Sequence, residues 1–84
     1  MLLTGNQLKA ARALADMDQT TLATKAGISK NTVVTLEKHG SQLLTGRVDT
    51  VRAVQLALEA EGIEFLSEGG QPGVRLKAAK PTDS

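Results

Sequence analysis

The 84-residue chain reads as a mainly α domain of four to five helices followed by a short C-terminal β-hairpin. Three observations point there. Apolar residues recur at helical spacing as far as residue 61. Thr4, Asp18 and Ser29 stand as caps just ahead of those runs. After Gly62 the period changes to strand-like alternation.

The first helix is expected over about residues 5–16. Thr4 and Gln7 form a Thr-x-x-Gln capping box, in which hydroxyl and amide satisfy each other's orphan backbone donors. Leu8, Ala11 and Ala15 then share a face, with Leu14 beside them and Lys9 and Arg12 on the other side. Asp18 caps a second helix whose short apolar face is Leu22, Ala23 and Ala26. Gly27 suits the left-handed conformation that ends helices, and Ile28, apolar within the turn, should plug the junction. Ser29 caps a third helix, with Val33 and Leu36 inward and Lys30, Asn31, Val34, Thr35 and Lys38 outward. The β-branched Thr32, Val33 and Val34 lower its intrinsic helicity, so packing must hold it.

A polar loop from His39 leads to a fourth helix from about Arg47 to Glu61. Val48, Val51, Val54 and Leu58 mark its inner face, and Gly62 ends it. Residues 63–66 and 74–77 alternate apolar with polar across a Gly- and Pro-rich turn, the pattern of a hairpin. Residues 1–62 thus form one helical domain, 63–77 a hairpin, and 78–84 a flexible tail.

Composition narrows the chemistry. There is no Cys and a single His, which excludes disulfides and thiolate metal sites and argues against a catalytic cluster; no cofactor is expected. No apolar run nears the roughly 20 residues of a membrane span, and the first residues lack the pattern of a signal peptide. The reading therefore expects no membrane partner and a cytoplasmic location. The net charge of +1 hides an asymmetry: residues 1–47 carry +3 and residues 48–84 carry −2. A basic first half hints at a polyanionic partner, and is equally a fluctuation that a small chain shows by chance.

Residues 19–38 are the informative stretch. Two short helices meet across a tight turn, with small Ala23 and Gly27 where backbones approach and Leu22, Ala26, Ile28, Val33 and Leu36 on the facing sides. What remains outward on the second is short, polar and partly basic. This is the physical specification of a DNA-binding helix-turn-helix, whose second helix enters the major groove. The run from Gln19 to Glu37 resembles the Cro/repressor-type helix-turn-helix regulators, the XRE family. Gln opens the first motif helix, a small residue stands four on, Gly marks the turn, and an apolar residue, a Ser cap and a closing Leu-Glu pair follow. The likeness covers residues 4–61 and implies a lambda-repressor-like fold.

The resemblance implies roles for particular residues. Gln19 matches a position that contacts phosphate and braces the recognition helix; otherwise it is a plain first-turn polar residue. Lys30, Asn31 and Thr35 match base-reading positions. Lys can donate to guanine, Asn can pair bidentately with adenine, and the Thr methyl can meet a thymine methyl. A solvated helix face would carry the same residues. Val34 either touches a thymine methyl or packs. Ser29 and Thr32 can donate to phosphates, though Ser29 also serves simply as a cap. Lys38 and Arg47 flank the helix as phosphate contacts, and Arg47 near a helix start is otherwise an electrostatic misfit. Glu37 matches an acidic position read as structural and is set outside the site.

One recognition helix reads only a few base pairs, so the resemblance implies a homodimer on palindromic operator DNA. Ile63, Phe65, Val74 and Leu76 of the hairpin are the expected dimer interface, unless the hairpin folds back on its own helices. With no ligand-sensing module in view, control would run through concentration or a regulatory protein partner. The leading expectation is a transcriptional repressor and not an enzyme. An antitoxin or restriction-modification controller shares the fold, and an interaction module that has lost DNA binding is the alternative from another class.

Overall fold

The computed structural model describes residues 2, 4–42, 44, 48–66 and 72–77. It contains the helices α1 (Gly5–Leu14), α2 (Gln19–Ala26), α3 (Lys30–Glu37) and α4 (Val48–Glu59). Two strands follow, β1 (Ile63–Leu66) and β2 (Gly73–Leu76), paired antiparallel as a two-stranded sheet. The chain is thus mainly helical with a small sheet. The loop of the hairpin and residues 78–84 lie outside the described residues.

Local chemistry sets the helix starts. The Thr4 hydroxyl accepts from the Gln7 N–H at 3.1 Å, and the Gln7 side chain accepts from the Thr4 N–H at 3.0 Å, closing the capping box. Asp18 caps α2 by accepting from the Thr21 N–H at 2.7 Å, and Ser29 caps α3 through the Thr32 N–H at 3.2 Å. Each cap satisfies a backbone donor that the helix itself leaves open. Gly27 ends α2 at φ 73°, a left-handed conformation in which a Cβ is unfavourable. α1 is shorter than the expected 5–16. Asp16 takes φ 57°, which no continuing helix permits, so the last helical residue is Leu14.

The core is one cluster. Leu8, Ala11 and Ala15 from the first helical segment meet Leu22 and Ala23, Val33 and Leu36, and Val54 and Leu58. The fully buried Leu8, Leu22, Val33, Val54 and Leu58 stabilise the fold by roughly 1.5–3 kcal/mol each. Ile28 is half-buried and packs against this cluster from the turn, as does Val51 from α4. Two expected core positions are corrected. Val48 is 75% exposed, because α4 turns its Val54–Leu58 stripe inward and its first residue overhangs the body. Leu14, one turn beyond Ala11 and off the Leu8–Ala11–Ala15 face, is 42% exposed.

The hairpin closes one side of the helical body. Ile63 pairs with Leu76 and Phe65 with Val74. Ile63 and Phe65 are buried in the core of their own chain, and Val74 packs against it. Of the four residues expected at a dimer interface, Ile63 and Phe65 are buried within the protomer, Val74 is half-buried and Leu76 is exposed. Gln7 locks the hairpin in place, donating from Nε2 to the carbonyls of Leu66 at 3.1 Å and Gly73 at 3.0 Å. The residue that completes the capping box of α1 is therefore also the bolt of the sheet.

Two glycines separate strain from crowding. A Cβ at Gly5 would stand 2.6 Å from the Leu36 carbonyl oxygen and 2.9 Å from both the Glu37 carbonyl oxygen and the Gly40 backbone nitrogen. Gly5→Ala should cost about 1–3 kcal/mol by forcing α1 and α3 apart. At Gly27 nothing stands within 4 Å of the added Cβ, so Gly27→Ala should cost only the left-handed conformation, about 1 kcal/mol. Urea unfolding of the two variants checks the order.

Candidate nucleic-acid interface

α2 and α3 are joined by Gly27, Ile28 and Ser29, and their apolar sides face the core. On α3, Val33 and Leu36 are buried while Lys30, Asn31, Thr35 and Lys38, the residue just past its end, are exposed. Asn31, Val34, Thr35 and Lys38 fall at i, i+3, i+4 and i+7, which is one stripe of a helix. Val34 on that stripe is half-buried. The structure thus brings together five of the residues singled out from sequence on one outward side, with Lys30 at the head of the helix.

Ser29 and Thr32 are partly occupied. Their hydroxyl oxygens are 2.8 Å apart, and Ser29 Oγ also accepts the Thr32 N–H. One hydroxyl hydrogen is used between them and the other remains to be donated elsewhere. Arg47 lies outside the described residues.

Gln19 is half-buried at the start of α2 and reaches across to α3, donating from Nε2 to Glu37 Oε1 at 3.0 Å. Glu37 is the centre of this corner. Its carboxylate also accepts from Arg12 Nε at 2.6 Å and Nη2 at 3.1 Å, while Arg12 Nη1 donates to the Met17 carbonyl at 3.0 Å. The Glu37 side chain is only 4% exposed. Hydrogen bonding to the Glu37 carboxylate outweighs desolvation and raises the Arg12 guanidinium above its ordinary value, keeping it charged. The helical period places Arg12 only on the side of α1 away from its apolar face and names no partner for it. The signal available was chemical: an acidic residue ending an otherwise inward turn needs a cation, and a fork-shaped guanidinium is the best match to a carboxylate.

Asp18 is an acidic group close enough to the head of α3 to feel the charge of Lys30. Its carboxyl is held below its ordinary value of 3.8, first by the Thr21 N–H, then by the Thr21 hydroxyl, with smaller help from Arg12 and Lys30. It is therefore ionised at neutral pH and partly offsets the positive charge of the stripe.

The chain matches no family model and no curated protein.

Two measurements follow from this corner. Arg12→Ala strands a buried carboxylate and should cost about 3 kcal/mol, whereas replacing Arg12 and Glu37 together by Met should restore much of it. A double-mutant cycle in urea reads the difference. For Asp18 the folded-state pKa is depressed, so its cap contributes above the unfolded value and is lost as pH falls through the folded one. Below pH 3.8 the wild type should lose stability that Asp18→Asn, an uncharged cap, does not lose, as followed by thermal melts across the acid range.

Proposed function

We propose that this chain is a sequence-specific DNA-binding regulator of the helix-turn-helix kind, with α3 seated in the major groove. The observation that carries the reading is the outward stripe of α3. Asn31, Val34, Thr35 and Lys38, headed by Lys30, stand on a helix whose other side is buried in the core. Asn31 and Lys30 supply the donors and acceptors that read adenine and guanine edges, and the Thr35 and Val34 methyl groups suit thymine. Lys38, exposed just past the end of α3, is the cation this reading assigns to a phosphate. Gln19, steadied by Glu37, keeps one amide hydrogen to donate to a phosphate oxygen of a backbone beside it.

The reading calls for two copies on a palindrome, with half-sites about 34 Å apart, because one such helix covers too few base pairs for specific affinity. Repression by covering a promoter is the mode that needs no further domain. Binding and occlusion require no cofactor and no chemistry at the site.

Selection from a randomised duplex pool, followed by titration across salt, tests the reading. A preferred sequence should emerge, with affinity falling steeply as salt rises. Lys30→Ala and Asn31→Ala should each cost about 1–3 kcal/mol and relax preference at one position. Lys38→Ala should weaken all duplexes alike and lower the salt slope by about one. Asp18→Asn, removing the nearby negative charge, should tighten binding to every duplex. No enrichment even at low salt would leave the protein-interaction module as the surviving account.

A further inference from the structure

On the reading of α3 as a duplex-reading helix, on which this step rests, we infer that Val34 and Thr35 form a seat for the C5 methyl group of a pyrimidine, so that methylation of cytosine at C5 tunes binding to the site.

Val34 is the apolar residue of the outward stripe, and the fold does not account for it. It is half-buried. The half-buried Ile28, Val51 and Val74 pack against the core cluster, and Val34 is not among the side chains that do so. Val33 and Leu36 fill that role on α3, at 0% and 7% exposure. A β-branched residue is a poorer helix former than Ala or Leu, and α3 already carries Thr32 and Val33. What Val34 supplies in return is a stiff pair of methyl groups on the outer side.

Thr35 stands next to it and is exposed. It adds a third methyl. Among the described residues none engages its hydroxyl. A hydroxyl both donates and accepts. It can therefore donate to O4 of thymine or accept from the N4 amino group of cytosine, and the polar contact does not tell the two bases apart. The methyl does. Thymine and 5-methylcytosine carry it at C5; uracil and cytosine do not.

The placing along the helix suits a single contact of this kind. Val34 and Thr35 are about 1.5 Å apart along the axis, less than half the rise of a base pair, so they meet one pair together. Asn31 and Lys38 stand about 4.5 Å further along on either side. Lys30 and Lys38 thus bracket the apolar step with cations, which fits a methyl group set in a polyanion and not the face of an apolar helix. Covering one methyl group changes affinity by about fourfold, and by about sixteenfold when both halves of a palindrome carry it.

The test takes the preferred duplex from the selection described above and changes one methyl group at a time. Uracil replaces each thymine in turn. At the thymine that responds, cytosine and 5-methylcytosine are then compared opposite guanine. Each comparison alters the C5 methyl alone. At one position of a half-site thymine should bind about fourfold tighter than uracil, and 5-methylcytosine tighter than cytosine by the same factor. In Val34→Ala both ratios should fall to near one, with thermal melts recorded alongside. Thr35→Ser keeps the hydroxyl and removes the methyl at an exposed position, and should lower both ratios in a chain that melts as the wild type does. A preferred site without thymine, ratios of one at every thymine, or ratios that both variants leave intact overturn the inference while the DNA reading stands. A selection that enriches nothing overturns that reading, and the methyl seat with it.

Discussion

A buried carboxylate cannot be left without partners, and Glu37 is satisfied only when three helices stand in one arrangement. Arg12 reaches it from α1 with two nitrogens, Gln19 from the head of α2 with one, and Glu37 itself closes α3. Desolvating the charge is costly, so any slip of α3 along α1 would expose an unpaired ion inside the body. Apolar packing between short helices tolerates sliding much better than a forked ion pair does. The pair therefore selects among packings that the Leu and Val residues alone would allow. Gly5 reinforces the choice, since the end of α3 approaches its Cα more closely than any side chain would permit.

A similar economy governs the other side of the molecule. Gln7 caps α1 with its oxygen and holds both strands with its nitrogen. A two-stranded hairpin is marginal by itself in water. Here it is fastened at its loop end by Gln7 and seated through Ile63 and Phe65. Because β1 carries the buried pair, β2 is left with the less covered half of the same apolar face. The exposure of Leu76 follows from where the helices end and not from any polarity of the strand.

The parts legible in the sequence were those fixed within four residues. The Thr4–Gln7 box, the Asp18 and Ser29 caps and the left-handed Gly27 all depend on local stereochemistry, and the chain shows each of them directly. The inward positions of α2 and α3 were also readable, because they follow from helical period. What escaped depends on contacts distant in sequence. Nothing near Arg12 announces a partner 25 residues away. The period of α4 identified Val48 as inner, yet the body that would cover it does not extend that far. For the hairpin, alternation showed which residues need burial and could not say whether helices or a second copy would provide it. The outward face of α3 was readable as polar, but solvent and a duplex ask for the same residue types there, so the pattern alone leaves function open.

The division of labour within α3 bears on how such a face could vary. Three β-branched residues make this helix weak by itself, and it is held from outside its polar stripe. Ser29 fixes its start, Val33 and Leu36 anchor its inner side, and Glu37 and the close approach to Gly5 hold its end. Asn31, Thr35 and Lys38 take no part in that support, and Lys30 bears on it only through its distant attraction to Asp18. Substitutions on the stripe should therefore leave the fold nearly unchanged, as exposed positions generally do. Val34 is the exception, since its half-burial ties it to both sides of the helix. A scaffold that keeps its stabilising contacts apart from its outward residues lets recognition change without loss of structure, and on the proposed reading that separation is what a DNA-reading helix requires.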